Sequence, residues 1–217
     1  MTNFCAKQHV MAEQLFKFFV VFFVVVEPIS LIPLFAGLTE GASPNYQKNM
    51  AFKSSAIALG ICFVFAIAGA KFLDVMGIAL SSFRIAGGTL LFLISLDMVF
   101  AHPSGTRSTS SEREESLKRQ DISVFPLAFP FIAGPGALAT ILLTAGEVWG
   151  KPVLFVGFLG VVILVISICW GLMLAAPRLM NVLGVTGANV MSRLSGVVLA
   201  ALAVQFIIDG IRGSFLS

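Results

Sequence analysis

Residues 21–36 read VFFVVVEPISLIPLFA, an apolar run with Glu27 and two prolines, Pro28 and Pro33, set in its middle. In a soluble protein this would be a core helix that ends early. In a bilayer it would be a span broken at its centre, because each proline removes a backbone donor and frees carbonyls one turn earlier. The surrounding chain decides between them. Its 217 residues are 58% hydrophobic and only 12% charged, with a mean hydropathy of +0.98. A soluble domain usually carries about 25% charged residues, so half that fraction selects the membrane class.

A helical span needs about 20 apolar residues. Six runs supply them: 15–38, 51–73, 78–100, 124–144, 153–176 and 190–211. The pieces between them, such as EGASPNYQKN, GEVWGKP and PRLMNVLGVTGAN, read as short connections. The runs are continuous and lack ten-residue alternation, so helices are expected and a β-barrel is not. The N-terminal MTNFCAKQHVMAEQ shows no clear cleavage site and reads as retained.

Several chemistries find no support. The net charge of +3 is small and the basic residues are scattered, which argues against nucleic-acid binding. Cys5, Cys62 and Cys169 have no metal or redox spacing and read as apolar filling. His9 and His102 build no metal site, and no nucleotide-binding motif is present. No cofactor and no enzyme activity are expected, because the spans carry no Ser/His, paired-Asp or zinc constellation.

One polar stretch, HPSGTRSTSSEREESLKRQD at 102–121, reads as a mobile linker, with SEREESLKRQ a candidate short surface helix. It divides the chain into a first three-span unit at 1–101, a linker at 102–122 and a second three-span unit at 123–217. The units repeat in sequence. Pro28-x4-Pro33 recurs as Pro130-x4-Pro135, and SFRIAGG with Arg84 recurs as SRLSG with Arg193. An odd number of spans per unit inserts the second unit upside down. The expectation is an all-α transmembrane fold of six helices in two inverted three-helix repeats, the first helix of each being broken. Many secondary transporters share that plan, with sites at the repeat interface. Seven basic residues against five place the linker in the cytoplasm and both termini outside.

A carboxylate at the centre of a span normally faces a cavity or a partner. Glu27 is therefore a candidate proton carrier or substrate contact, or else an ion-pair partner of Arg84 or Arg193. Pro28, Pro33, Pro130 and the triplet Gly134-Pro135-Gly136 mark two breaks whose half-helix N-termini suit an anion, or else two simple kinks. Arg84 and Arg193 could snorkel, pair with Glu27 or Asp97, or hold a substrate carboxylate. Gln205 and Asp209 share a helix face, and Gln205 could bond a polar substrate or a neighbouring helix.

These pieces together resemble the MarC family of integral membrane proteins, a group that includes small neutral amino acid transporters. The matching stretches are EPISLIPLF, FRIAGG, PLAFPFIAGPGALAT, and SRLSG with VQFIIDGI after it. The resemblance implies a multi-pass inner-membrane protein. Many members carry Asp-Pro or Asn-Pro at the first break, with Gly soon after, where this chain has Glu27-Pro28 and Ser30. Residues and resemblance together point to a secondary transporter of a small zwitterion, lying in the lipid bilayer and driven by a proton or Na+ gradient or running downhill. The rival is a non-transporting scaffold or regulator assembled through Gly-rich helix faces. A homo-oligomer is compatible with either.

Overall fold

The computed structural model describes residues 2–100 and 121–215. The expected mobile linker, with His102 and the candidate surface helix, lies outside the described residues apart from Asp121. The described chain is helical: α1 (Thr2–Val26), α2 (Leu31–Leu38), α3 (Pro44–Val75), α4 (Leu80–Phe100), α5 (Ser123–Ile132), α6 (Pro135–Val148) and α7 (Pro152–Phe215). Five helices or helix pairs are long and apolar enough to cross a membrane, or six if the bent pair α5–α6 is one span. Each of the six expected runs coincides with one of these.

Three boundaries differ from the sequence expectation. α3 begins at Pro44, not near residue 51, because Ser43 caps it: its Oγ accepts from the Tyr46 N–H at 3.3 Å, and Pro44 takes the first helical position. There the missing proline N–H costs nothing. α1 is helical from Thr2, well ahead of the apolar run. The piece PRLMNVLGVTGAN is not a loop. It stays helical within α7 except at Gly184, whose φ of 61° and ψ of 176° fall in a region essentially only glycine adopts. That residue divides α7 into two arms, which carry the spans Pro152–Met180 and Arg193–Phe215.

α7 is the hub, touching α1, α2, α3, α4 and α6. Its second arm lies antiparallel on α4 at very short range. A Cβ added at Gly88 would stand 2.8 Å from the Ala203 carbonyl oxygen, one at Gly210 would stand 2.8 Å from that of Ser81, and one at Gly196 would stand 3.1 Å from that of Ser95. Small residues let the backbones meet where lipid offers no hydrophobic drive for association. The first arm packs through Phe158, whose ring lies 4.8 Å from Phe18 of α1. Cys62 and Cys169 are free thiols buried in the apolar core. Large side chains such as Phe52, Val64, Ile67, Val156, Leu164 and Val197 are exposed on the outside, as lipid-facing residues would be.

Candidate functional site

Both proline-marked breaks exist, and the fold brings them together. At the first, α1 stops at Val26 and Glu27 takes a left-handed φ of 55°. The residue before a proline is pushed out of the right-handed helical region by the proline ring. A three-residue turn then restores the ladder: the Ser30 N–H donates to the Glu27 carbonyl at 3.1 Å and the Ile32 N–H to that of Ile29 at 3.1 Å. Pro33 falls in the first turn of α2, where a proline is tolerated. Val10–Leu38 consequently still runs as one 29-residue span.

Glu27 is 3% exposed, and the Ser30 hydroxyl donates to its Oε1. Ser30 thus gives the buried carboxylate a donor three residues along the chain.

The second break is wider. Phe125 and Phe129, each preceding a proline, are extended (φ −128°, ψ 126° and φ −131°, ψ 132°). The bonds around them are widely wound, spanning five residues instead of four: the Leu127 N–H donates to the Ile122 carbonyl at 3.3 Å and the Ala133 N–H to that of Ala128 at 2.8 Å. Pro130 is buried within this stretch, and Pro126, which stands outside the Pro-x4-Pro spacing, does the same job one turn earlier. Gly134 is extended and Pro135 opens α6 at its first position, the pair α5–α6 being bent by 57°. A Cβ at Gly134 would lie 2.3 Å from the Pro130 carbonyl oxygen. One at Gly136 would lie 3.2 Å from Val25 Cγ1 and 2.6 Å from Leu91 Cδ2, so the start of α6 sits against α1 just before Glu27.

The arginines do not gather at the breaks. Arg84 ion-pairs with Glu147, in the last turn of α6, and not with Glu27. Arg193 is exposed near the start of the last span, about 24 Å along the helix from Asp209. The antiparallel register with α4 therefore puts the two arginines at opposite ends of the bundle. The Gln205 amide donates to Asp209 Oδ1 at 2.9 Å, within its own helix face.

A cavity of about 430 Å3 opens at the end of the bundle that holds Arg84. Its rim carries Lys17, Arg84, Glu147, Lys151 and Asp209, and its floor is apolar, with Phe18, Val21, Leu143, Phe158 and Phe206. Glu147 and Lys151 belong to GEVWGKP, which reads in sequence as a mere connection. At the other end, Lys53 of α3 bonds Asp121 at 2.8 Å, and Asp121 also accepts from the Ser123 N–H at 2.9 Å. Those bonds hold the Asp121 carboxyl well below its ordinary 3.8, at about 2, with Lys53 the largest cause and Ser123 the next.

The comparisons with known proteins agree with this architecture. Residues 12–215 match the description "MarC family integral membrane protein". The chain is 37% identical over 203 residues to the UPF0056 membrane protein YhcE of Escherichia coli K12, covering 92% of this chain and 93% of that protein. It is 36% identical over 207 residues to a UPF0056 membrane protein of Archaeoglobus fulgidus, covering 93% and 94%. With one from Methanocaldococcus jannaschii the identity is 34% over 195 residues, covering 89% and 94%. These names describe membrane proteins and state no solute. No solved structure matches the chain. With a match across nearly its whole length, the chain belongs to the MarC family of integral membrane proteins.

Proposed function

We propose that the protein is a secondary transporter of small neutral amino acids or similar zwitterions, working by alternating access in the inner membrane without enzymatic chemistry. The observation that carries the reading is the meeting of two helix breaks, one of which holds a buried carboxylate. Gly136, at the start of α6, packs on Val25, two residues before Glu27. Broken spans that meet inside a bundle are where transporters bind solute and coupling ion. Glu27 is the group for an ammonium or a coupling proton. Pro28, Pro33, Pro130, Gly134, Pro135 and Gly136 shape the paired breaks around it.

The plan of two inverted repeats is part of this reading. Gly87 and Gly196 are spaced as Arg84 and Arg193 are; Gly88 and Gly196 seat one third span on the other, whereas Gly87 faces Ala139 and Leu143 of α6. The orientation, with the termini outside and the linker in the cytoplasm, belongs to the reading as well. The scaffold alternative draws less support, because Gly88, Gly196 and Gly210 are occupied in packing within the chain.

The test is counterflow of labelled L-alanine, L-serine and L-threonine in proteoliposomes, with a proton or Na+ gradient imposed. Glu27→Gln should lower uptake and flatten its pH dependence. An unchanged rate and pH profile in that variant would remove Glu27 from the mechanism. No movement of any solute would favour the scaffold.

A further inference from the structure

The cavity at the Arg84 end lies apart from the breaks, and its chemistry is that of a binding site. We propose that it binds the carboxylate group of a small solute, with Lys17, Arg84 and Lys151 as its anion-recognising residues. Three cations face two carboxylates on the rim, and the carboxylates are already engaged. Glu147 is held by Arg84, and Asp209 accepts from the Gln205 amide at 2.9 Å. The cations are not matched in the same way. Lys17 has no ion-pair partner among the described residues, and Lys151 Nζ only reaches the Glu147 carbonyl oxygen at 3.5 Å. The surplus is positive, and cationic clefts with apolar walls concentrate anions.

Size and shape narrow the ligand. Binding pockets for small molecules run to about 300–1,000 Å3, and this one is about 430 Å3. Its floor of Phe18, Val21, Leu143, Phe158 and Phe206 suits a short hydrocarbon body, which a bare phosphate ion lacks. The walls come from α1, α4, α6 and both arms of α7, so four helices converge on the cavity. The arriving carboxylate can take Arg84 from Glu147, since a guanidinium pairs bidentately with either. This site does not depend on the transport reading, because it is defined by binding alone.

The chain carries its own reporter. Trp149 stands between the rim residues Glu147 and Lys151, edge-on to Phe155 at 5.8 Å, and Trp170 is the one other tryptophan. Full-length protein with Trp170→Phe, in phosphatidylcholine nanodiscs, is titrated with propionate, L-alanine and propylamine while Trp149 emission is monitored. Propionate and L-alanine should give saturable changes, and propylamine none. Lys17→Gln with Lys151→Gln should weaken propionate roughly tenfold, the scale for losing rim charges that steer an anion. Glu147→Gln should tighten it several-fold by releasing Arg84, and Lys48→Gln, on the opposite end, should leave it unchanged. Silence toward propionate, an equal response to propylamine, or an unaltered affinity in the double lysine variant overturns the proposal. So does a Trp149 change driven by phosphatidylglycerol in the disc and not by propionate, which would make the cavity a lipid headgroup site. If propionate binds as expected while proteoliposomes move no solute, the transport reading falls and this site stands.

Discussion

The two breaks share a spacing in sequence, Pro-x4-Pro, and differ in how they are closed. At the first, one residue in the left-handed region and a three-residue turn return the chain to helix, and Val10–Leu38 remains one span. At the second, two extended phenylalanines and a five-residue ladder interrupt α5, which then meets α6 at a 57° bend. Glu27, Phe125, Phe129 and Gly134 each precede a proline and each has left the right-handed helical region, as the proline ring favours, although Ile32 before Pro33 and Ala176 before Pro177 stay helical. The contrast arises beyond the prolines. One polar pair, Glu27 with Ser30, closes the first break, whereas the second is closed by backbone packed on backbone. The first is therefore chemically addressable and the second is sterically fixed.

The sharpest way to break this comparison is to add a methyl group to each half. Gly134→Ala puts a Cβ 2.3 Å from the Pro130 carbonyl oxygen, a backbone atom that cannot swing aside. A loss of about 3 kcal/mol or more is expected, at the upper end of overpacking costs. Gly37→Ala in α2 meets nothing within 4 Å and lies in a helix, so it should stabilise by up to about 1 kcal/mol. Thermal unfolding of both variants in detergent reads the contrast. Equal effects would mean that the second break is no more sterically fixed than the open helix face at Gly37.

The next test separates the two roles of Glu27. Ser30→Ala deletes the hydroxyl that donates to buried Glu27 and should destabilise by about 1–3 kcal/mol, the range for depriving a buried polar group of a partner. Glu27→Gly also loses that bond but relieves the left-handed backbone, which costs a non-glycine residue about 1–3 kcal/mol. Its stability should thus stay near wild type. Uptake should fall in Glu27→Gly all the same, because the carboxylate is gone. If Glu27→Gly unfolds as readily as Ser30→Ala, the left-handed turn is not a source of strain and the first break is held by its carboxylate alone.

The spans were legible because about 20 apolar residues have few other uses, and the breaks because proline acts locally. Long-range partners were not. Arg84 and Glu147 are far apart in sequence, and only the packing of α4 on α6 brings them together. Ser30 as a donor required knowing that Glu27 turns left-handed. The irregular winding of α5 was hidden by its composition, since SVFPLAFPFI is as apolar as any regular span. Residues 177–189 look like a turn because they hold two glycines, a proline and two asparagines, yet only Gly184 leaves the helix.

The smallest expected effect concerns how the second break is tethered. The first break continues directly from α1, whereas α5 begins next to Asp121, which is clamped by Lys53 and Ser123. The Asp121 carboxyl is held at about 2, below its ordinary 3.8. A depressed carboxyl stabilises the fold above its unfolded value and loses that contribution as pH falls through its folded value. The window is therefore from about pH 4 down to about pH 2, with nothing expected near neutrality. Both partners are half exposed, so solvent screening limits the pair to less than about 1 kcal/mol. Asp121→Asn should lower the melting temperature slightly at pH 7, and the gap from wild type should close between about pH 4 and about pH 2. A gap that persists at the acid end would mean that Asp121 tethers α5 through its shape and its bonds to Ser123, not through charge, and the second break would then be a packed device from its first residue onward.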